Sequence, residues 1–448
     1  MTMKTDPAAH AALFQDRNFR WLIAGSAVSL LGDQFTLFAL PWLVLRLTGD
    51  AVAVGSVLAL IGIPRAVFIL VGGAMVDRFS PKCVLMLTKH VNAVVLALLA
   101  VGVWKGALTL SAIYGFSLVL GISSAFSIPS GTSMLPHALP PAQLGAANGV
   151  MMGVRQLSMF LGPLTAGLLI TLSAGGAGGV QDAGGIALAI ALDAASFALS
   201  AWTLAHVKMR TLPADPTRRA PIWASMVIGV QHVWGDAQLR TLYLYWAAVA
   251  VLVLGPLHVA LPVLAQSRPT LGAAALGLIA GAHGAGTLLG MLTSGLRERL
   301  RIGSLGTSLL VADIAIGLLF VPMGRIAAAW QGALLMALVG VLGGFMQVAV
   351  FTWVQKRVPQ ALLGRSMSLF MFIFMGLVPI SSAAAGWLLQ AVSLPQLFAG
   401  CGLLLVLAAV LAWLATPLRT IDQASVGARL AAADARPPSE PEPGPTRI

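Results

Sequence analysis

Charge is scarce in this sequence. Only 9% of its 448 residues are Asp, Glu, Lys or Arg, while 58% are hydrophobic, and an ordinary soluble domain carries about 25% charged residues. So little charge excludes a soluble globule and points to an all-α membrane protein with many spans. Cysteine is nearly missing too: Cys83 and Cys401 lie far apart and imply neither a disulfide framework nor a metal site. There is no Gly-x-x-x-x-Gly-Lys-Ser/Thr phosphate loop, which argues against an integral ATPase subunit, and no His-Glu-x-x-His. Glycine pairs such as Gly72-Gly73 and Gly343-Gly344 read as helix-packing features, not nucleotide loops. No enzymatic activity, metal or cofactor is therefore expected. The start of the chain lacks the basic segment, short apolar core and small-residue cleavage site of a signal peptide, so its first apolar run is expected to remain as a membrane helix.

What the chain does have is a series of apolar runs long enough to cross a hydrocarbon core of about 30 Å. Twelve spans are expected, at about 20–45, 52–76, 83–104, 108–129, 145–173, 185–207, 239–265, 272–296, 303–322, 327–354, 365–391 and 394–416. The formal net charge of +12 does not mark a nucleic-acid surface, because the basic residues fall in short clusters between the runs. Lys4, Arg17 and Arg20 precede span 1. Arg78, Lys82 and Lys89 follow span 2, and Lys208, Arg210, Arg218, Arg219 and Arg240 fill the central stretch. Arg297, Arg299 and Arg301 follow span 8, Lys356, Arg357 and Arg365 separate spans 10 and 11, and Arg419 begins the tail. Alternate loops hold only Arg46, Lys105, Arg268 and Arg325. By the positive-inside rule both termini are expected in the cytoplasm, although the loop between spans 4 and 5 offers only His137.

The chain also repeats itself. Leu239-Arg240 parallels Phe19-Arg20, Pro262 parallels Pro41, Glu298-Arg299 parallels Asp77-Arg78, and Leu363-Gly364 parallels Leu144-Gly145. Each offset is about half the chain, the mark of six spans duplicated in parallel around a cavity. The expected organisation is a short segment at 1–18, a first six-helix bundle at 19–207 and a connector at 208–238. A second six-helix bundle follows at 239–416, then a Pro-rich disordered tail at 417–448.

Between spans 2 and 3 lies a short charged stretch, Gly73 to Lys82. Asp77 falls where its own helix dipole is negative, so a positive group from elsewhere must compensate it. The spacing of Gly73, Asp77, Arg78 and Lys82 resembles the loop signature of the major facilitator superfamily, with Ser80 and Pro81 in place of a usual glycine and arginine. The resemblance covers residues from about 12 to 416. In span 5, Gly149, Ser158, Gly162, Pro163, Ala166 and Gly167 are similar to that family's antiporter motif, with Ser158 and Ala166 replacing glycines. Asn18-Phe19-Arg20-Trp21, Gly32-Asp33 and the Pro359 to Arg365 loop look like the drug, siderophore and macrolide efflux branch. The arginine that proton-coupled drug antiporters carry in helix 4 is missing, since Gly115 to Phe126 contains no basic residue.

The resemblance implies a secondary exporter of an amphipathic small molecule, such as a drug or siderophore. It would work by alternating access in exchange for protons, as a monomer in a bacterial inner membrane. The alternatives are an importer or lysophospholipid-type transporter of the same fold, and a receptor that binds without transporting. Ionisable residues deep in a membrane are costly and mark function. Asp33 is a candidate proton carrier, the alternative being a static ion pair with Arg65 or Arg155. Those two arginines are candidates for substrate contact or for holding the carboxylate. Gln34, Gln156, His258, His283 and Gln347 are candidate cavity residues, the histidines also reading as ordinary core side chains. Asp193 and Asp313 fall on helices 6 and 9, peripheral in this family, and read as structural polar contacts. Met151, Met152, Met371 and Met375 would suit a soft apolar pocket and equally suit membrane packing. Asp77 is expected to meet the positive end of helix 11 near Gly364 to Ser368 when the cytoplasmic side is closed.

Overall fold

The structure, a computed structural model, describes residues 13–172, 182–210, 222–294 and 303–421. Twelve helices in it are long and apolar enough to cross a membrane, and no strand occurs among the described residues. The first six are α1 (Arg17–Thr48), α2 (Ala51–Arg78), α3 (Pro81–Trp104), α4 (Leu110–Ala138), α5 (Pro141–Leu172) and α6 (Asp182–Ala205). A shorter helix, α7 (Ile222–Gly235), occupies the connector that the sequence presents as a polar, proline-interrupted stretch. The other spans are α8 (Ala237–Ser267), α9 (Ala273–Thr293), α10 (Leu305–Met323), α11 (Ala329–Arg357), α12 (Gln360–Leu388) and α13 (Leu394–Ala415). Arg218 and Arg219 of the connector, Arg297 to Arg301 and the Pro-rich tail beyond Ile421 lie outside the described residues.

Helix starts follow from local chemistry. Asp16 accepts bonds from the Asn18 and Phe19 N–H groups, and Asp236 does the same for Gln238 and Leu239, each satisfying donors that a helix N-terminus leaves open. Asp16 and Asp236 are separated by the same half-chain offset as the sequence repeats, so the duplication extends to the caps. Gly49 ends α1 with φ of 65°, a left-handed conformation that glycine adopts without strain. Pro81 is the first residue of α3, where its missing N–H costs nothing. The Ser80-Pro81 departure from the family signature is thus a helix start.

Packing repeats with the sequence. Helix α2 packs on α4, α3 on α6 and α1 on α5; in the second half α9 packs on α11, α10 on α13 and α8 on α12. Two seams join the halves, α2 against α12 and α5 against α9. The hydrophobic cores show where the seams are closed. At the end holding the α1–α2 and α8–α9 turns, one core unites Leu40, Trp42 and Val44 of α1 with Leu257 and Leu261 of α8 and with Phe320 and Phe398. At the opposite end, which carries the basic clusters, the core is split. Leu13, Phe19, Met134, Ala147 and Leu204 form one cluster, and Leu239, Trp246, Val350, Phe370 and Leu418 another. The molecule is therefore sealed at one end and parted at the basic end.

The tail starts later than expected. Leu418 and Ile421 are buried, Ser304 donates to the Arg419 carbonyl, and only beyond this anchor does the chain leave the described region.

At the basic end, Arg357 on α11 donates to Asp236 at 2.8 Å, tying the start of α8 to the end of α11. Burial acts to raise the Asp236 pKa, but the Arg357 bond and the two capped N–H groups outweigh it and hold it below the usual carboxylate value. A depressed pKa stabilises the fold above the unfolded value and ceases to do so as pH falls through the folded one. Asp236→Ala is expected to cost about 1 kcal/mol at neutral pH, mostly from the lost cap, because a half-exposed ion pair adds little. Thermal midpoints of both proteins should converge in acid; a gap independent of pH would contradict this account.

Candidate functional site

Small residues build the two seams. A β-carbon at Gly55 would stand 2.8 Å from the Ser382 carbonyl oxygen, one at Gly62 would collide with the Pro379 ring, and one at Gly386 would strike the Ala51 carbonyl. Along the other seam Gly167 and Gly277 face each other, and Gly284 lies on the backbone of Met159 and Phe160. Such close approach depends on the missing side chains. The antiporter-like stretch of α5 therefore serves two contacts. Gly162 receives the stem of Gln34 from α1, while the Pro163 carbonyl and Gly167 lie on Gly277 of α9. Ser158 and Ala166 are buried, and Gly149, nearer the basic end, is exposed with nothing beside it among the described residues.

On the α2–α12 seam the close contacts run from Ala51 and Gly386 as far as Ala66 and Gly376, where a β-carbon would still lie 3.9 Å from Ala66. Gly73, two turns further on, has no neighbour within that range among the described residues. The space between the halves is thus a cleft with its closed apex beside Ala66 and its mouth at the basic end.

Asp33 lies about 24 Å along α1 from Arg17. It is exposed although Gly32 and Phe35 on either side of it are buried, and the cations acting on it are Lys89 of α3 and Arg155 of α5. Lys89 also acts on Asp193 of α6. Its ammonium donates to Ser29 at 3.3 Å and lies 5.4 Å from the Phe197 ring. Asp193 accepts bonds from the hydroxyls of Thr36 and Ser196. One lysine is therefore shared by two carboxylates inside the first half, with Asp33 on the accessible side and Asp193 held behind it.

This cluster corrects one expectation. Lys89 is not a loop cation following span 2; since α3 begins at Pro81, Lys89 is two turns inside it and buried. Asp193 makes the polar contacts expected of it, with Thr36 and Ser196, and these place its carboxylate in the same cluster as Asp33. Of the two arginines considered as partners for Asp33, Arg155 acts on it and Arg65 does not.

Arg65 instead lies beside the second half. Its charge acts on His258 of α8, as does that of His283 of α9. His258 is exposed and follows a π-turn, Ala250–Leu254, where Pro256 has no N–H to continue the regular ladder. Gln156 is buried and donates to the Met291 sulfur at 2.9 Å, so it belongs to the α5–α9 seam. Gln347 is exposed and joins neither cluster. Asp313 of α10 is buried next to Tyr245 of α8, away from both.

The charged stretch after span 2 is more helical than a turn. Helix α2 continues through Arg78, and only Phe79 and Ser80 separate it from α3. Lys82 donates to the carbonyls of Ala205 and Val207 at 2.9 and 2.7 Å, satisfying carbonyls at the negative end of α6. Arg78 lies over the Phe79 ring at 5.9 Å. The side chain of Asp77 and the side-chain position at Gly364 fall outside the described residues.

Twelve spans in a repeated six-plus-six packing, with a cleft between the halves, have the architecture of a membrane transporter. Residues 22–381 match the model of the Major Facilitator Superfamily, and the chain belongs to that family. It is 25% identical over 414 residues to the multidrug efflux pump Tap of Mycobacterium tuberculosis, covering 90% of this chain and 94% of the relative. It is 27% identical over 372 residues to the enterobactin exporter EntS of Escherichia coli, covering 81% and 80%. Among solved structures, the nucleoside transporter NupG superposes with a TM-score of 0.68 at 14% identity over 89% of this chain and 99% of that one. A bacterial homologue of the iron transporter ferroportin, captured facing inward, gives 0.66 at 17% identity over 88% and 98%. These structural likenesses establish the fold.

Proposed function

We propose that this transporter is a proton-coupled exporter of an amphipathic small molecule in a bacterial inner membrane, with both termini cytoplasmic. The observation that carries the reading is the split of the hydrophobic core: shared at one end, divided at the other. Residues 19–207 and 239–416 then act as two rigid bodies joined by the connector at 208–238, rocking about the cleft. With the basic clusters placed in the cytoplasm by the positive-inside rule, the structure faces inward and is ready to load from that side. Asp33 is the proton carrier, since it is the carboxylate of the Lys89 cluster on the accessible side. Lys89 and Arg155 are the cations that face its charge during the cycle.

Two efflux relatives, matched over 94% and 80% of their lengths, favour outward movement, and the test is directional. In everted vesicles with an acidic lumen, a fluorescent amphipathic substrate should accumulate against its gradient, and collapsing the pH difference should release it. Accumulation driven by an alkaline lumen instead would mark proton symport and reverse the assigned direction, and equal accumulation in both would remove the proton coupling.

A further inference from the structure

An arginine without a carboxylate is the least satisfied charge in the cleft. The Arg65 guanidinium is permanently charged, its Nε is buried without a hydrogen-bond partner, and among the described residues it forms no ion pair. Among the described residues no carboxylate of the spans pairs with it. The charges of Lys89 and Arg155 act on Asp33, Asp193 accepts bonds from Thr36 and Ser196 and lies in the field of Lys89, and Asp313 lies beside Tyr245. Asp77 is twelve residues further along the same helix, about 18 Å away. Leaving a charge uncompensated at such depth is expensive.

The surroundings of Arg65 are those of a binding subsite. It is next to Ala66, where the α2–α12 seam closes, and so stands at the apex of the cleft. His258 of the second half is exposed and within reach of its charge, and His283, which also acts on His258, has a buried Nδ1 without a partner. A guanidinium fork from one half and imidazoles from the other would meet across the path that substrate must take. A planar fork with convergent N–H groups matches an oxyanion in two-point geometry.

We propose that Arg65, His258 and His283 form a headgroup subsite for an organic oxyanion, so that the exported molecules include amphipathic acids. The apolar body lies toward the mouth, where Met152 and Met371 are about half exposed. Because the subsite takes one group from α2 and others from α8 and α9, a bound anion bridges the halves and reports to both. This rests on the cleft being the transport site.

The test uses the full chain in zwitterionic nanodiscs and three probes of one shape: 1-naphthoate, 1-naphthylmethanol and 1-naphthylmethylammonium. Equilibrium binding, corrected with empty discs, should rank the carboxylate at least about tenfold tighter than the alcohol, or about 1.4 kcal/mol. Arg65→Gln should erase that preference while alcohol binding persists, which shows the pocket intact. If Arg65→Gln does not fold, Arg65→Lys keeps the charge but loses the fork. It should weaken naphthoate alone. A wild type that binds acid and alcohol equally, or a folded Arg65 variant that keeps the full preference, would mean a merely hydrated arginine and overturn the proposal. Binding is read without a gradient, so loss of vesicle transport with the acid preference intact would count against the exporter reading only.

Discussion

Asp33→Asn is expected to abolish gradient-driven accumulation while leaving substrate exchange intact. A difference of two pH units supplies about 2.7 kcal/mol per proton, enough for about a hundredfold accumulation in one-for-one exchange. Asparagine cannot take up or release a proton, so the accumulation ratio should fall to unity. The physical reason lies in the Lys89 cluster. In the native protein, an ionised Asp33 acts on Lys89 beside Asp193 and lies in the field of Arg155, and a neutral Asp33 does not. These two charge states pull differently on α1, α3, α5 and α6. A substitution that freezes one of them removes the coupling without removing the cleft. Counterflow of labelled substrate with no pH difference should therefore continue at near native rate. Full accumulation by the variant would remove Asp33 from the mechanism, and loss of counterflow together with a lowered thermal midpoint would assign it a structural role.

Spans, repeat and family signature were all legible in the sequence because each has a local cause. Apolar length sets a span, basic clusters set loop sidedness, and Gly73, Asp77, Arg78 and Lys82 keep their spacing whatever the neighbours do. Partnerships were not legible in the same way. Helical depth places Asp33, Arg65 and Arg155 at comparable levels but says nothing about which face each presents, so Arg65 looked as close to Asp33 as Arg155 did. Only the packing of α2 and α8 shows Arg65 beside His258. Lys89 was missed for a different reason. Counted by proximity to Arg78 and Lys82 it joins a loop cluster, whereas Pro81, read as a helix start, would have placed it two turns inside the membrane.

Gly62→Leu and Asp77→Asn are expected to move the protein in opposite directions. At Gly62 even a β-carbon collides with the Pro379 ring, so four added carbons cannot be housed while the sealed end stays sealed. Overpacking of this kind costs about 1–3 kcal/mol. The cost falls on the inward-facing state alone, because the α2–α12 seam must part at that level when the far end opens. The population ratio should shift about 5- to 150-fold toward the outward-facing state. Asp77 works at the other end. If its carboxylate meets the positive start of α12 when the basic end closes, Asp77→Asn removes an attraction present only in the outward-facing state and moves the balance inward. Single cysteines placed at Gly149, near the mouth, and at Gly49, in the far turn, report both shifts through their rates of alkylation by a membrane-impermeant reagent. Gly62→Leu should slow labelling at the mouth and speed it in the far turn, and Asp77→Asn should do the reverse. The same direction from both variants would mean that the α2–α12 seam is not the element that switches. A null result for Asp77→Asn alone would leave the seam in place and remove the latch. The rocking motion would then be governed by glycine packing at one end and by cleft occupancy, with no electrostatic lock at the other.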